Sequence, residues 1–296
     1  MSAAKWISFS LYFFLLLSLF ALFSQKASAE IYRCQLDAQQ SPVFTDSRFK
    51  CEHQKARLLS VKAPVNIIER KVLASIPDLS QRDPTADFPD DGRKYCAPVA
   101  VSNSLSTAMG GMPSSQQIEL ARTLGSADYM ATGTKGTSPK QLLQGLEHYI
   151  DAHKASQPSF YKSKLEYRGQ RTVARKFNPD LDRQAELPWL INGIKQEKHI
   201  WLNIGWYQTQ DNGKQKRIGG HWVTLVGYEK LGSMKDGKGE YLIINDPATS
   251  GGDSQEQITV NMAKLNGRMG YQLMNQASMP KTADVAWLDG AIQLAL

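Results

Sequence analysis

A thiol, an imidazole and a carboxylate occur in this 296-residue chain with the same kind of punctuation: Cys96 within Lys94-Tyr95-Cys96-Ala97-Pro98, His221 within Gly219-Gly220-His221-Trp222, and Asp246 within Asn245-Asp246-Pro247. Together such groups do nucleophilic chemistry. The thiolate attacks a carbonyl, the imidazole carries the proton, and the carboxylate fixes the imidazole. The other histidines, His53, His148, His153 and His199, lack comparable neighbours. His148 and His153 are five apart, off the spacing that puts two ligands on one helix face, so no zinc pair, other metal or cofactor is expected.

Such groups react only if regular elements hold them. Pro98 suits a first helical turn, and Val101, Leu105, Ala108 and Met109 make one apolar face that Gly110-Gly111 ends, so Cys96 should lie at or just before the N-terminus of a helix. There the unpaired N–H groups and the helix dipole favour a thiolate, and the Cys96 backbone N–H can serve an oxyanion. Ser114 or Ser115 should cap a second helix bearing Ile118, Ala121 and Leu124. Ser138-Pro139 should open a third bearing Leu142, Leu143, Leu146, Tyr149 and Ile150. Residues 154–186 read as an irregular polar excursion with a strand at Leu165 to Tyr167, and Pro188 starts a short helix.

Beyond that helix the period changes to two. Ile200, Leu202, Ile204 and Trp206 share one face of a strand, His221 to Tyr228 make a second strand, and Tyr241 to Ile244 a third, with Gly- and Lys-rich loops between. Helices first and an antiparallel sheet second define an α+β fold. Across a hairpin, Asp246 can reach His221, whereas Asn245 points to the opposite face. Asp246-Pro247 is also a common turn with no chemistry, and Trp201, Trp206, Tyr207 and Trp222 read as core before cleft.

At the N-terminus Lys5, an apolar run from Trp6 to Phe23 and Ala27-Ser28-Ala29 have the form of an export signal, making Glu30 the expected start of the mature chain. The run is also just long enough to stay as a membrane anchor. Removing it takes away Lys5 and Lys26 and no acid, so the formal net charge falls from +7 to +5. The basic clusters from Lys162 to Arg175 and Lys214 to Arg217 lie in loop-like sequence and read as solvated surface, with no nucleic acid expected as partner. Only Cys34, Cys51 and Cys96 are present. In an oxidising compartment a Cys34–Cys51 bridge would close a short loop and contribute about 3 kcal/mol to a segment too small for its own core. Cys96 is then the thiol without a partner, which raises the expectation that it is used.

With these residues in view the chain resembles the papain-like clan, most closely its bacteriocin-leader-processing branch of cysteine peptidases. The matching residues are Tyr95-Cys96-Ala97-Pro98 with Asn103 and Leu105, Trp201-Leu202-Asn203-Ile204, Gly220-His221-Trp222-Val223 through Tyr228, and Asn245-Asp246-Pro247-Ala248. The resemblance implies a papain-like fold with N-terminal helices packed on an antiparallel sheet. It also implies Cys96 as nucleophile, His221 as general base and then acid, Asp246 as orienter, and a peptide or protein substrate. One position departs from the pattern. Six residues before the cysteine, where the family carries an oxyanion-binding glutamine, stands Asp90, whose carboxylate only accepts. Gln81, Arg93, Lys94 and Asn103 are the nearby donors. The stretch from Glu30 to Phe49 resembles a small domain at the start of many bacterial envelope proteins, implying a periplasmic or secreted setting.

The expected organisation is a signal over 1–29, a small disulfide-stapled domain over 30–62, a linker over 63–86 and a papain-like peptidase domain over 87–296. Three activities fit it. One is an exported cysteine peptidase working through a thioester on Cys96. Another is a silent relative that binds an extended peptide in the same cleft, and the third is a transglutaminase-like acyl transferase.

Overall fold

The computed structural model describes residues 32–34, 43–45, 67–74, 76–231, 240–248 and 255–296. The export signal and Cys51 lie outside them, and of Cys34 only the backbone is described, so the expected disulfide falls outside the described residues. The chain divides into two compact units, Met1–Asn66 and Ile67–Leu296. In the first, β1 (Tyr32–Cys34) pairs antiparallel with β2 (Val43–Thr45).

The second unit holds helices α1 (Cys96–Ala108), α2 (Ser114–Gly125), α3 (Pro139–His153) and α4 (Leu187–Lys195). Its strands are β3 (Ile67–Val72), β4 (Lys164–Gly169), β5 (His199–Thr209), β6 (Gln215–Leu231), β7 (Glu240–Asn245), β8 (Glu256–Leu265), β9 (Arg268–Met274) and β10 (Val285–Ala295). All pair antiparallel in the order β3-β6-β5-β10-β9-β8-β7, with β4 added on β10. Because β6 also pairs with β7, the six strands from β6 round to β7 close into a barrel, which removes most of the sheet's free edges. This is the α+β arrangement expected, helices against an antiparallel sheet.

Alternation along β5 divides two cores. Ile200, Leu202 and Ile204 pack in the barrel with Val223, Leu225, Leu242, Ile244 and Ile258, and α4 contributes Leu190 and Ile194 to the same cluster. Trp201 and Trp222 pack instead among α1, α2 and α3, against Leu105, Leu124, Leu142 and Leu146. Each fully buried large apolar side chain contributes about 1.5–3 kcal/mol, so these two layers carry most of the apolar stabilisation. Helix α1 is buried from Cys96 through Ser106, not on one face alone. Its serines tolerate this by bonding back within the helix, Ser102 Oγ to Val99 O at 2.9 Å and Ser106 Oγ to Asn103 O at 3.1 Å.

Helix starts follow the expected punctuation unevenly. Ser138 caps α3 through a capping box with Gln141, and Pro139 occupies its first turn. At α2 no side chain caps the helix, and Ser114 is its first residue instead of its cap. The irregular excursion contains β4, whose Tyr167 is fully buried. Strands β8, β9 and β10 lie beyond those read from the sequence. β10 is buried along nearly its whole length, so it lacks the polar alternation that marks a half-exposed strand.

Part of the expected linker belongs to this unit. β3 pairs with the far end of β6, Lys71 opposite Tyr228, and Leu73 N–H donates to Val226 O at 2.7 Å. Further on, Leu79 N–H donates to Asn103 Oδ1 at 2.9 Å and Gln81 N–H to Pro247 O at 2.7 Å. Among the described residues no helix is long and apolar enough to cross a membrane.

Candidate active site

Cys96 is the first residue of α1, buried, and its thiol is free. The first turn is pinned to the sheet through Ala100 O, which accepts from Thr224 Oγ1 at 2.7 Å and from Trp201 Nε1 at 3.1 Å. Just before it, the Tyr95 ring stacks on Phe88 at 4.8 Å. The helical ladder begins with Val99 N–H to Tyr95 O, so the Cys96 N–H precedes it and is not used by it.

His221 and Asp246 meet across the β6–β7 ribbon. Thr224 pairs with Asn245, so Asp246 lies just past the strand end, opposite Val223 and on the same face as His221 two residues further along, and His221 Nε2 bonds to Asp246 Oδ1 at 2.6 Å. Both side chains are almost fully buried. The Cys96 thiol is in hydrogen-bonding reach of the same ring. Since Nε2 is engaged by Asp246, Nδ1 is the nitrogen left for the thiol. Burial by itself disfavours the imidazolium, but the Asp246 carboxylate and the thiol outweigh it and hold His221 well above its ordinary pKa. Burial likewise pushes Asp246 up, and His221, Ser278 and the Ala248 N–H together hold it below the usual carboxylate range.

Two neighbours of this pair are not evident in sequence. Ser278 Oγ donates to Asp246 Oδ2 at 2.6 Å, from a loop 32 positions downstream. Trp206 stacks on the His221 ring, centroids 5.6 Å apart and planes 18° apart, while Trp201, Trp222 and Tyr207 are buried. Ser278 carries no local signal, because a lone serine in a polar loop looks like any other. Asn245 faces away, donating through Nδ2 to Ile76 O and Pro77 O at 3.1 Å each.

On the oxyanion side, Asp90 is exposed on the 3-10 turn Pro89–Gly92, where Asp90 and Asp91 both have positive φ. Gln81 is the buried residue at this turn: its backbone N–H bonds to Pro247 O, beside Asp246, and its Nε2 donates to Gly92 O at 2.8 Å, four residues before Cys96. Gly92 has φ +72° and a Cβ there would collide with Gln81 O, so only glycine lets the two segments touch. Arg93 and Lys94 are exposed, and Asn103 is occupied by Leu79 and Gln117.

A cysteine at a helix start, an imidazole on the strand ribbon beside it and a carboxylate behind the imidazole form one connected site, and a model of the Peptidase_C39 like family matches the chain over residues 74–279. The chain belongs to this family. A search of curated proteins returned no match. The family match takes in Gln81, Cys96, His221, Asp246 and Ser278 and begins just after β3, inside the stretch expected as linker. This member of the Peptidase_C39 like family therefore has a papain-like, cysteine-peptidase type of domain, and its family implies a peptide or protein substrate.

Proposed function

We propose that the protein is an exported bacterial cysteine peptidase that cleaves peptide bonds with Cys96 as nucleophile, His221 as base and acid, and Asp246 as orienter. The observation that carries this reading is that one buried imidazole is bonded to Asp246 and within bonding reach of the Cys96 thiol. The raised affinity of His221 for its proton favours an imidazolium beside a thiolate. The thiolate attacks the scissile carbonyl, and the charge that develops on its oxygen meets the unused Cys96 N–H. Gln81 supplies the second donor, since Nε2 carries two hydrogens and only one is committed to Gly92 O. His221 then protonates the leaving amine, the C–N bond breaks, and a thioester remains on Cys96. Water, deprotonated by His221, attacks that thioester, the C–S bond breaks to release the new carboxyl end of the peptide, and the proton held by His221 is again shared with the Cys96 sulfur. Export, and pairing of Cys34 with Cys51 in the oxidising space outside the cytoplasm, belong to the same proposal and leave Cys96 as the reactive thiol.

Labelling with iodoacetamide near neutral pH, localised to Cys96 by mass spectrometry under non-reducing conditions, tests the site. Rapid labelling that is slowed in His221→Ala, together with peptide hydrolysis lost in Cys96→Ser, is expected. Labelling no faster than that of a free cysteine rejects the enzyme reading in favour of a silent peptide-binding domain. Transfer to an added amine in preference to water would make the protein an acyl transferase.

A further inference from the structure

We propose that the loop between β9 and β10 positions the imidazole–carboxylate pair, Ser278 by fixing the plane of Asp246 and Gln276 by holding Trp206 flat against His221, an inference that deepens the peptidase reading above and rests on it. Both residues stand on one short stretch. It leaves β9 at Asn275, whose φ is +63°, turns with Met279 N–H donating to Gln276 O at 3.3 Å, and is anchored by Met279 packing against the barrel core. The family match runs to Met279 and so takes in the whole stretch.

The terminal torsions of aspartate and histidine are soft, so neither group keeps one plane unless its neighbours hold it. Asp246 is gripped at both oxygens. Oδ1 accepts from His221 Nε2 at 2.6 Å and from Ala248 N–H at 2.9 Å, while Oδ2 accepts from Ser278 Oγ at 2.6 Å. Any rotation that carried Oδ1 away from His221 would also break the charge-assisted bond to Ser278. The His221 ring is held on its face. Trp206 is the direct partner of Gly219, and a Cβ on Gly219 would come within 3.0 Å of the indole, so this glycine lets the indole lie across β6. Two residues along and on the same face it meets the His221 ring, with centroids 5.6 Å and planes 18° apart. The indole is tied in turn to the loop, Trp206 Nε1 donating to Gln276 Oε1 at 3.1 Å. Gln276 is buried, and its Nε2 has no partner among the described residues. A buried amide left half-satisfied costs stability, so what Gln276 contributes is the placement of Trp206 and not the strength of the loop. Among the described residues Cys96 and Asp246 are the titratable groups that face His221, and His221 is the one that faces Asp246. The pH profile of the pair therefore reads its alignment.

Steady-state peptide hydrolysis by the full chain tests this. In Ser278→Ala, kcat should fall about tenfold with KM nearly unchanged, as for loss of one hydrogen bond to a charged group, and the alkaline limb of kcat/KM should move to lower pH. A carboxylate that lost only a neighbouring donor, with its aim intact, would become more basic and move the limb up. Ser278→Thr keeps the hydroxyl and should restore most of the rate. In Gln276→Leu, kcat should fall about threefold or more while the urea midpoint holds or rises, since a half-satisfied buried amide is removed. The proposal is overturned by kcat within about twofold of wild type in either variant, by a limb unmoved or raised in Ser278→Ala, by a Ser278→Thr protein as slow as Ser278→Ala, or by a loss in Gln276→Leu matched by a lower urea midpoint. If either variant does not fold, Ser278→Cys, with a weak donor of similar shape, and Trp206→Phe, which keeps a ring without the N–H, take the same readings. If the wild type hydrolyses no peptide, the peptidase reading has failed, and NMR titration of His221 in histidine-labelled protein, assigned by its absence in His221→Gln, decides the positioning alone. A midpoint lower in Ser278→Ala than in wild type by about half a pH unit or more supports it, and an unmoved or raised midpoint overturns it.

Discussion

At the scale of residues, the His221–Asp246 contact dominates. A 2.6 Å bond between buried groups raises the proton affinity of the imidazole, so activity that requires the imidazolium should persist well above the ordinary histidine pKa. Replacing Asp246 by Ala removes that support. The alkaline limb of kcat/KM should move to lower pH and kcat should fall by about 10²; an unmoved limb would show that Asp246 does not act through His221. The proposed oxyanion donors make a second residue-level comparison. Gln81→Ala should lower kcat by about 10² to 10³, the usual cost of one lost donor, whereas exposed Asp90→Ala should change it little. The reverse order would return the oxyanion position to Asp90.

At the scale of elements, α1 is held in place by polar atoms as much as by its apolar contacts. Asn103 Oδ1 accepts from Leu79 N–H at 2.9 Å and from Gln117 Nε2 at 2.6 Å, joining α1 to the segment that carries Gln81 and to α2. In Asn103→Ala two buried donors lose their acceptor, and urea unfolding should register a loss of about 2–3 kcal/mol. A loss below about 0.5 kcal/mol would mean the segment finds other partners. Much of this level was readable beforehand. The start of α1 at Cys96 and the strand faces of Ile200, Leu202 and Ile204 are set by local spacing, a signal of period 3.6 or 2 that survives without knowledge of the partner. β3 and β10 were not, for opposite reasons. Ile67–Val72 is short and mostly exposed, and becomes a strand only because the far end of β6 offers a free edge. Val285–Ala295 is buried on both sides, and a largely apolar run broken only by Asp289, Gly290 and Gln293 does not say strand or helix.

At the scale of the molecule, closure of the barrel makes the C-terminus indispensable to the unit. β10 lies between β5 on one edge and β9 and β4 on the other. Deleting residues 285–296 should abolish cooperative unfolding followed by tryptophan fluorescence, while a chain of residues 67–296 should retain it, since the contacts divide at that point. A cooperative transition in the deletion would show that the barrel tolerates an open seam. Acid sensitivity is also a property of the whole fold. Burial holds His199 down at about 4, with its Nδ1 unpartnered among the described residues, so the folded state stays neutral where the unfolded chain takes up a proton. Stability should therefore fall as pH drops from about 6.5 to about 4, by on the order of 2 kcal/mol. His199→Leu should flatten that part of the pH dependence of the urea midpoint, and an equal slope in both proteins would assign acid loss elsewhere.

Sequence by itself determined the chemistry on offer: a cysteine at a helix start, a histidine after paired glycines and an aspartate at a strand end, with the α+β order of elements around them. These follow from propensity, capping and periodicity, which act over a few residues. What only the tertiary structure decided was which distant groups complete the site. Ser278 reaches Asp246 and Gln81 spans the turns beside Cys96 and Asp246, each across many intervening positions. Such pairings are set by barrel register and by the requirement that buried polar groups find partners, and neither leaves a trace in local spacing.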